Sequence, residues 1–273
     1  MKFVFFGTDD FSVTVLDELK RAVFLPSLII TAPDRPQGRG LKILPSQAKL
    51  WAQENHIPVA SDYSLLTTDY QLFIVASYGK IIPKEILTLP EKGALNVHPS
   101  LLPKYRGASP IESQILENEK EVGVTIMKMD EKMDRGPLLA QRKYSIFNFQ
   151  FSKASELRRI LAHEGGKLLA EVMPKWVAGE IKAVPQDETN VTYTKKFVKA
   201  DGLIDLIGDQ FQNFLKIRAF DGSIGTYFMH GKTRVLIKDA KYEDGKLVIT
   251  RVLPEGRKEM SYVDFLRGLK TVD

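Results

Sequence analysis

Cysteine is absent from all 273 residues. Disulfides, thiolate nucleophiles and any zinc or iron–sulfur centre bound through sulfur are thereby excluded, and a reducing compartment is expected. Histidine is scarce as well. His56, His98, His163 and His230 are the four present, with no pair at metal-ligand spacing, so no metal is expected. No uninterrupted apolar run approaches the ~18 residues of a membrane span. The apolar Phe3 to Phe6 ends at Gly7-Thr8-Asp9-Asp10 and makes neither a signal-peptide core nor an anchor. The expectation is a soluble cytoplasmic protein without membrane contact. That first turn holds one glycine where a dinucleotide site has GxGxxG, and its two aspartates would repel a pyrophosphate. Internal repeats and low-complexity segments are also missing.

What remains is an ordinary globular composition, 44% hydrophobic and 27% charged, long enough for two domains. The net charge of +5 permits a polyanionic partner without demanding one. Lys2 to Phe6 reads as a buried parallel strand. An amphipathic helix follows from Phe11 to Arg21 with Val15, Leu16 and Leu19 inward, then a strand from Ser27 to Ala32. Strand–helix–strand predicts a right-handed crossover and a doubly wound, mostly parallel sheet. Gln71 to Ala76, Gly93 to Val97 and Val122 to Met129 extend it, with Leu138 to Ile146 at the edge. Ser109-Pro110-Ile111-Glu112 predicts a capping box with proline at the first helical position. A helix from Ser152 to Val177, interrupted at Gly165-Gly166 and Pro174, closes a first domain spanning 1–182. An extended linker is expected over 183–200.

The remainder, 201–273, reads differently. A helix from Asp201 to Arg218 precedes short alternating strands, Gly225 to Met229, Lys232 to Asp239 and Lys246 to Val252. Turn signals at His230-Gly231 and Asp244-Gly245 split them, and a helix from Ser261 to Leu269 with Asp264 at N3 closes the chain. Strands of this length and spacing predict a small β-barrel of the oligonucleotide-binding kind.

In open α/β sheets, ligands sit beyond the carboxyl ends of the strands. Asn96/His98, Ser77-Tyr78-Gly79 and Asp130/Asp134 all fall at such ends. Asn96 and His98 are two apart on an extended backbone and project to one side. Pro99 and Pro103 then fix an irregular turn. An amide N–H and an imidazolium can both donate to a developing oxyanion, and a neighbouring carboxylate can hold the imidazole. With no evident serine or cysteine nucleophile, direct attack by a bound amine on a bound acyl donor fits better than an acyl-enzyme. The segment Asp34-Arg35-Pro36-Gln37-Gly38-Arg39-Gly40-Leu41-Lys42 is basic and rich in glycine. It is either a solvated surface loop or an arm contacting phosphates.

The run Asn96-x-His98-Pro99-Ser100-Leu101-Leu102-Pro103-x-Tyr105-Arg106-Gly107 resembles the signature of the 10-formyltetrahydrofolate-dependent formyltransferases. Met129-Asp130-x-x-Met133-Asp134-x-Gly136 resembles the segment carrying that family's catalytic aspartate. Phe6-Gly7-Thr8, the Arg35-Pro36-x-Gly38-Arg39-Gly40 loop, Tyr78-Gly79 through Ile82-Pro83, and Gln186-Asp187-Glu188 with Thr192-Tyr193 point to the branch that acts on methionyl-tRNA. The resemblance implies a Rossmann-like catalytic domain followed by a small barrel that binds tRNA. It implies a catalytic set of Asn96, His98 and Asp134. Ser100, Leu101, Leu102 and Pro103, with Tyr78 and Gly79, are implied as the lining for 10-formyltetrahydrofolate, a cosubstrate. Arg39, flanked by Arg35 and Lys42, is implied as the contact to the acceptor end of methionyl initiator tRNA in translation initiation, and a monomer is expected. The chain departs from the family where Asp134-Arg135-Gly136-Pro137 replaces the usual Asp-Thr-Gly-Asp. It also lacks Pro-Trp-Pro after Arg218-Ala219-Phe220. The rival readings are formylation of an amino-sugar nucleotide or glycinamide ribonucleotide, and an inactive RNA-binding module.

Overall fold

A computed structural model describes residues 1–37, 42–145 and 153–269. The elements run β1 (Phe3–Gly7), α1 (Asp10–Arg21), β2 (Leu28–Ile30), β3 (Arg35–Gln37), β4 (Lys42–Leu44), α2 (Gln47–Glu54), β5 (Val59–Ala60), β6 (Leu72–Ala76), α3 (Lys84–Leu87) and β7 (Ala94–His98). They continue with β8 (Arg106–Gly107), α4 (Pro110–Leu116), β9 (Glu121–Lys128), β10 (Leu138–Ser145), α5 (Ala154–Val177), β11 (Tyr193–Thr194), α6 (Gln210–Ala219), β12 (Thr226–His230), β13 (Thr233–Glu243), β14 (Lys246–Pro254), β15 (Met260–Ser261) and α7 (Tyr262–Leu269). Two compact units emerge. One gathers Met1–Gly107, Glu121–Tyr144 and Arg158–Tyr193; the other gathers Ala108–Lys120, Ser145–Leu157 and Thr194–Asp273.

The first unit is built on a seven-stranded sheet in the order β10-β9-β7-β6-β1-β2-β5. β1 runs parallel to β2 and β6, β2 to β5, and β6 to β7, while β7 and β9 are antiparallel. The chain steps outward from β1 to β2 and β5, then returns to lay β6 on the other side of β1. Strand order therefore reverses between β1 and β6, where an open sheet of the Rossmann type parts to admit ligands. β1 and β6 are buried along their whole length, which is why both read as unbroken apolar runs.

Val4, Phe6, Leu28, Ile30, Phe73, Val75 and Ala94 share one buried cluster, closed by Tyr78, Ile82 and Leu87. On β7, Val97 points away from that side and meets α5. The glycine pair expected to interrupt α5 has the opposite effect: the helix is continuous from Ala154 to Val177, with Pro174 inside it. A Cβ on Gly165 would lie 2.6 Å from Val97 Cγ1, and one on Gly166 would lie 2.6 Å from the Glu18 Cβ. Close packing against β7 and α1 offsets the poor helix propensity of glycine, about 1 kcal/mol each.

Other boundaries also differ from expectation. Ser109 precedes α4 with φ −139° and ψ 55°, and its side chain makes no cap hydrogen bond, so the capping box does not form. The helix expected from Asp201 begins only at Gln210, because Asp209 accepts from the Phe211 and Gln212 N–H groups and caps it there. The segment before it holds a short 3₁₀ turn, Lys199–Gly202. At the two ends of the basic segment, β3 and β4 pair antiparallel, Arg35 opposite Leu44 and Gln37 opposite Lys42; 38–41 lie outside the described residues.

The second unit carries a four-stranded antiparallel sheet, β12-β13-β14-β15. Ile204, Ile217, Phe228, Val235, Ile237, Val252 and Phe265 form its core. Before α7, the Ser261 hydroxyl accepts from the Asp264 N–H at 3.1 Å and donates to the Asp264 carboxylate at 2.7 Å, the N3 arrangement the sequence predicts. Among the described residues no helix is long and apolar enough to cross a membrane.

Candidate active site

β7 is the last parallel strand before the sheet changes direction, and Asn96 and His98 lie on its face opposite Val97. Asn96 sits beside Val75 of β6 and Met127 of β9, and His98 sits beside Thr125. His98 is buried at 3% exposure. Its Nε2 lies 3.0 Å from the Tyr105 carbonyl oxygen. A carbonyl only accepts, so Nε2 carries a proton. Its Nδ1 lies 3.6 Å from Asp134 Oδ1 and can offer a proton to that carboxylate only as imidazolium. Asp134 Oδ2 accepts from the Gly107 N–H at 2.9 Å, with Asp134 itself at φ +50°. The structure thus brings His98 and Asp134 together. Asn96 is half-buried on the same face of the strand.

The turn after β7 is braced by its own polar groups. Ser100 is fully buried, and its hydroxyl donates to the Lys104 carbonyl at 2.7 Å. Thr125 Oγ1 accepts from the Leu102 N–H and donates to the Ser100 carbonyl, while the Gln141 amide donates to the Leu102 carbonyl. Leu102 is buried, whereas Leu101 and Pro103 are partly exposed. Ser100 and Leu102 therefore serve the shape of the turn.

Tyr78 faces inward, edge-on to Phe6 with ring centroids 5.5 Å apart. Burial, and then the neighbouring Tyr63, push its phenol well above the usual range. Its carbonyl accepts from the Thr8 hydroxyl at 3.0 Å, which ties the ends of β1 and β6 together at the strand-order reversal. Gly79, at φ +75°, has open space beside its Cα. Asp9, read from sequence as a repulsive charge, is engaged internally by the Ser77 hydroxyl at 2.7 Å and by the Arg158 guanidinium.

A cleft of about 790 Å³ opens along the Asp134 loop, lined by Leu87, Gly93, Met129, Asp130, Arg135 and Gln186 among others. That volume suits a cofactor-sized ligand. Asn96, His98 and Asp134 are not among its lining residues, nor are Tyr78, Gly79 and Ser100 to Pro103. No cluster of three His, Cys, Asp or Glu side chains among the described residues could hold a metal ion.

Sequence reasoning gave no role to the residues that hold this site from behind. Arg106 is 0% exposed. Its Nε and Nη2 donate to Gln186 Oε1 at 3.1 and 2.8 Å, and Nη2 donates to Glu188 Oε1 at 3.0 Å. Arg135 Nε reaches the same Glu188 oxygen at 3.2 Å. The Arg106 hydrogen bond, with Arg135 adding to it, holds the Glu188 carboxyl below the usual carboxylate range. Gln186 Nε2 donates to the Asp134 and Gly136 carbonyls at 2.9 and 2.8 Å. A charged residue directly after Pro103-Lys104-Tyr105 was the available signal. Nothing local announces that its partners lie at 186 and 188.

Of the three cations expected to meet tRNA, Arg35 and Lys42 lie on β3 and β4 and are exposed. Arg39 lies outside the described residues. Lys49, on α2, pairs with Asp34 at 2.8 Å.

Residues 1–173 match the formyl transferase family model. The chain is 34% identical to the methionyl-tRNA formyltransferase of Dictyoglomus turgidum, covering 99% of this chain and 97% of that one. Against the corresponding enzyme of Carboxydothermus hydrogenoformans it is 36% identical, over 99% and 97% of the two chains. Among solved structures, a methionyl-tRNA formyltransferase from Clostridium thermocellum shares the fold with a TM-score of 0.62, at 17% identity over 93% of this chain and 98% of that chain. Sequence similarity at this level over nearly the whole length carries the assignment: the chain belongs to the formyl transferase family, and within it to the methionyl-tRNA formyltransferases.

Proposed function

We propose that this enzyme transfers the formyl group of 10-formyltetrahydrofolate to the α-amine of methionyl-tRNA, with Asn96, His98 and Asp134 as its catalytic residues. One observation carries the assignment of roles. His98 is buried at the carboxyl end of β7, with Nε2 fixed on a backbone carbonyl and Nδ1 facing the Asp134 carboxylate.

The acceptor amine must be neutral to attack. Free α-amines titrate at about 7.7–8.0, so a useful fraction is ready near neutral pH. Its nitrogen forms a bond to the formyl carbon, and the carbonyl electrons move onto oxygen. Asn96 donates its amide N–H to that oxyanion, and the His98 imidazolium stabilises it. Asp134 offsets the imidazolium charge and assists movement of the amine proton to N10 of the folate. The tetrahedral species then collapses, the C–N10 bond breaks, and tetrahydrofolate leaves carrying the proton on N10. No covalent enzyme intermediate and no metal enter this sequence.

Acceptor choice falls to other parts of the chain. The cations Arg35 and Lys42, with Arg39 between them in sequence, contact the acceptor end of methionyl initiator tRNA. Phosphate contacts of this kind position the nucleic acid without reading its bases. The stretch 201–273 adds tRNA affinity as a small β domain, 1–182 forms the catalytic domain and 183–200 links the two. Folate binds against the turn of Ser100 to Pro103, near Tyr78 and Gly79. The enzyme acts as a monomer in the cytoplasm.

The test offers labelled 10-formyltetrahydrofolate with methionyl initiator tRNA, glycinamide ribonucleotide and an amino-sugar nucleotide in parallel. Label confined to the tRNA supports the assignment. Label in either small acceptor alone overturns the acceptor assignment, and no transfer to any of them overturns the activity.

A further inference from the structure

Each ring nitrogen of His98 faces a group whose position is set by residues 186–192. The acceptor for Nε2 is the Tyr105 carbonyl. Tyr105 sits at φ +63°, a conformation that bulky side chains avoid. It is held there by its own N–H donating to Thr192 Oγ1 at 2.8 Å, and by the Arg106 N–H donating to the Thr192 carbonyl at 2.9 Å. The partner of Nδ1 is Asp134. Its main chain is gripped by Gln186 Nε2, which donates to the carbonyls of Asp134 and Gly136.

The orientation of the Gln186 amide is not free. Arg106 has only donors to offer, so it claims Oε1 and turns the NH₂ group toward the loop, where two carbonyls can only accept. A Cβ on Gly136 would lie 1.8 Å from the Lys128 carbonyl oxygen, so the loop approaches β9 too closely for any side chain there. A wholly buried guanidinium is a costly way to fill space, and an apolar side chain would hold the fold at less desolvation cost. Here its fork is directed at one amide and one carboxylate.

We propose that Arg106 and Gln186 are positioning residues for formyl transfer: Arg106 orients the Gln186 amide, and that amide fixes the Asp134 loop against His98. This rests on the roles of His98 and Asp134 given above. Misplacement of a reacting group by 1 Å can cost about 10²-fold in rate, and the Asp134–His98 separation of 3.6 Å leaves little slack.

The test substitutes Gln186→Glu. The variant keeps an acceptor for Arg106 but turns an oxygen toward the Asp134 and Gly136 carbonyls. The expected result is a kcat lowered roughly 10- to 100-fold, with KM for both substrates within about twofold and the thermal midpoint close to that of the parent. In an Asp134→Asn background the same change should cost no more than roughly threefold, because Gln186 acts through Asp134. A kcat near the parent value overturns the proposal. So does an equal loss in both backgrounds, which a merely structural role would give. Should Gln186→Glu fail to fold, Gln186→Asn keeps the amide but falls a methylene short, and the same cycle applies to it. His98→Asn is measured alongside. If it leaves turnover intact, the catalytic assignment fails. If it abolishes turnover while Gln186→Glu does not slow the enzyme, only the positioning role fails.

Discussion

Asp134→Asn is the most informative single change, because it removes a charge while preserving shape. The asparagine side-chain oxygen can still accept from the Gly107 N–H, now at 2.9 Å from the carboxylate. What disappears is the negative charge 3.6 Å from His98 Nδ1, in a pair whose side chains are only 4% and 16% exposed. Unit charges at that separation interact by about 5 kcal/mol at an effective dielectric constant near 20. Some of this is recovered by rearranged water and by the asparagine dipole, so a barrier increase of about 3–5 kcal/mol is expected. At about 1.36 kcal/mol per decade, kcat falls roughly 10²- to 10⁴-fold. Single-turnover formylation of methionyl-tRNA measures the chemical step, and folate affinity is measured separately by titration. Affinity should stay within about threefold of the parent, since the change affects the transition state rather than ground-state binding. Turnover within about fivefold of the parent would refute the claim that the Asp134 charge supports an imidazolium in the transition state.

Three further outcomes follow from the same geometry. Asn96→Ala removes the oxyanion donor proposed above and should lower kcat by about 10²–10³-fold with folate binding retained, read in the same assay. Gly165→Ala improves intrinsic helix propensity, yet its Cβ would meet Val97 Cγ1 at 2.6 Å. Overpacking should therefore win, destabilising the fold by about 1–3 kcal/mol in urea denaturation. The Glu188 carboxyl is held below its usual range by Arg106 and Arg135. A depressed folded-state value means a stabilising contribution that is complete above the unfolded carboxylate pKa, about 4.3, and is lost as pH falls through the lower folded value. Glu188→Gln should flatten that acid limb of the thermal-midpoint profile and leave stability above about pH 6 little changed in its pH dependence.

The sheet was legible because β1 and β6 are buried on both faces and carry nothing but apolar residues up to their ends, so their sequence has one reading. The helix of 154–177 was misjudged at Gly165 because propensity is a local quantity. The compensation, contact with Val97 and with α1, is tertiary and invisible in a window of neighbours. Ser109 failed in the same way: the residue types of a capping box were present, but the backbone ahead of α4 is not extended. At the site, strand parity alone places Asn96 and His98 on one face of β7. Asp134 needed the family resemblance, since parity and charge left Asp130 equally eligible. The structure separates them: Asp130 accepts from the nearby Lys132 N–H, while Asp134 reaches His98 and Gly107.

The supporting residues were unreadable for a further reason. Arg106 and Gln186 lie 80 residues apart in the chain, and each alone has an ordinary explanation, a surface cation and a linker amide. Their meaning arises only from complementarity: a group that can only donate faces an amide oxygen, which leaves the amide nitrogen facing groups that can only accept. The same logic sets the tautomer of His98. The Tyr105 carbonyl requires a proton on Nε2, so any charge on the ring must appear at Nδ1, on the side of Asp134. A backbone carbonyl, which carries no sequence identity, thus sets which ring nitrogen of His98 holds the proton. A substitution that moved the Tyr105 carbonyl would be expected to disturb formyl transfer even with Asn96, His98 and Asp134 all unchanged, because the ring would lose the acceptor that holds Nε2 and, with it, the orientation that presents Nδ1 to Asp134.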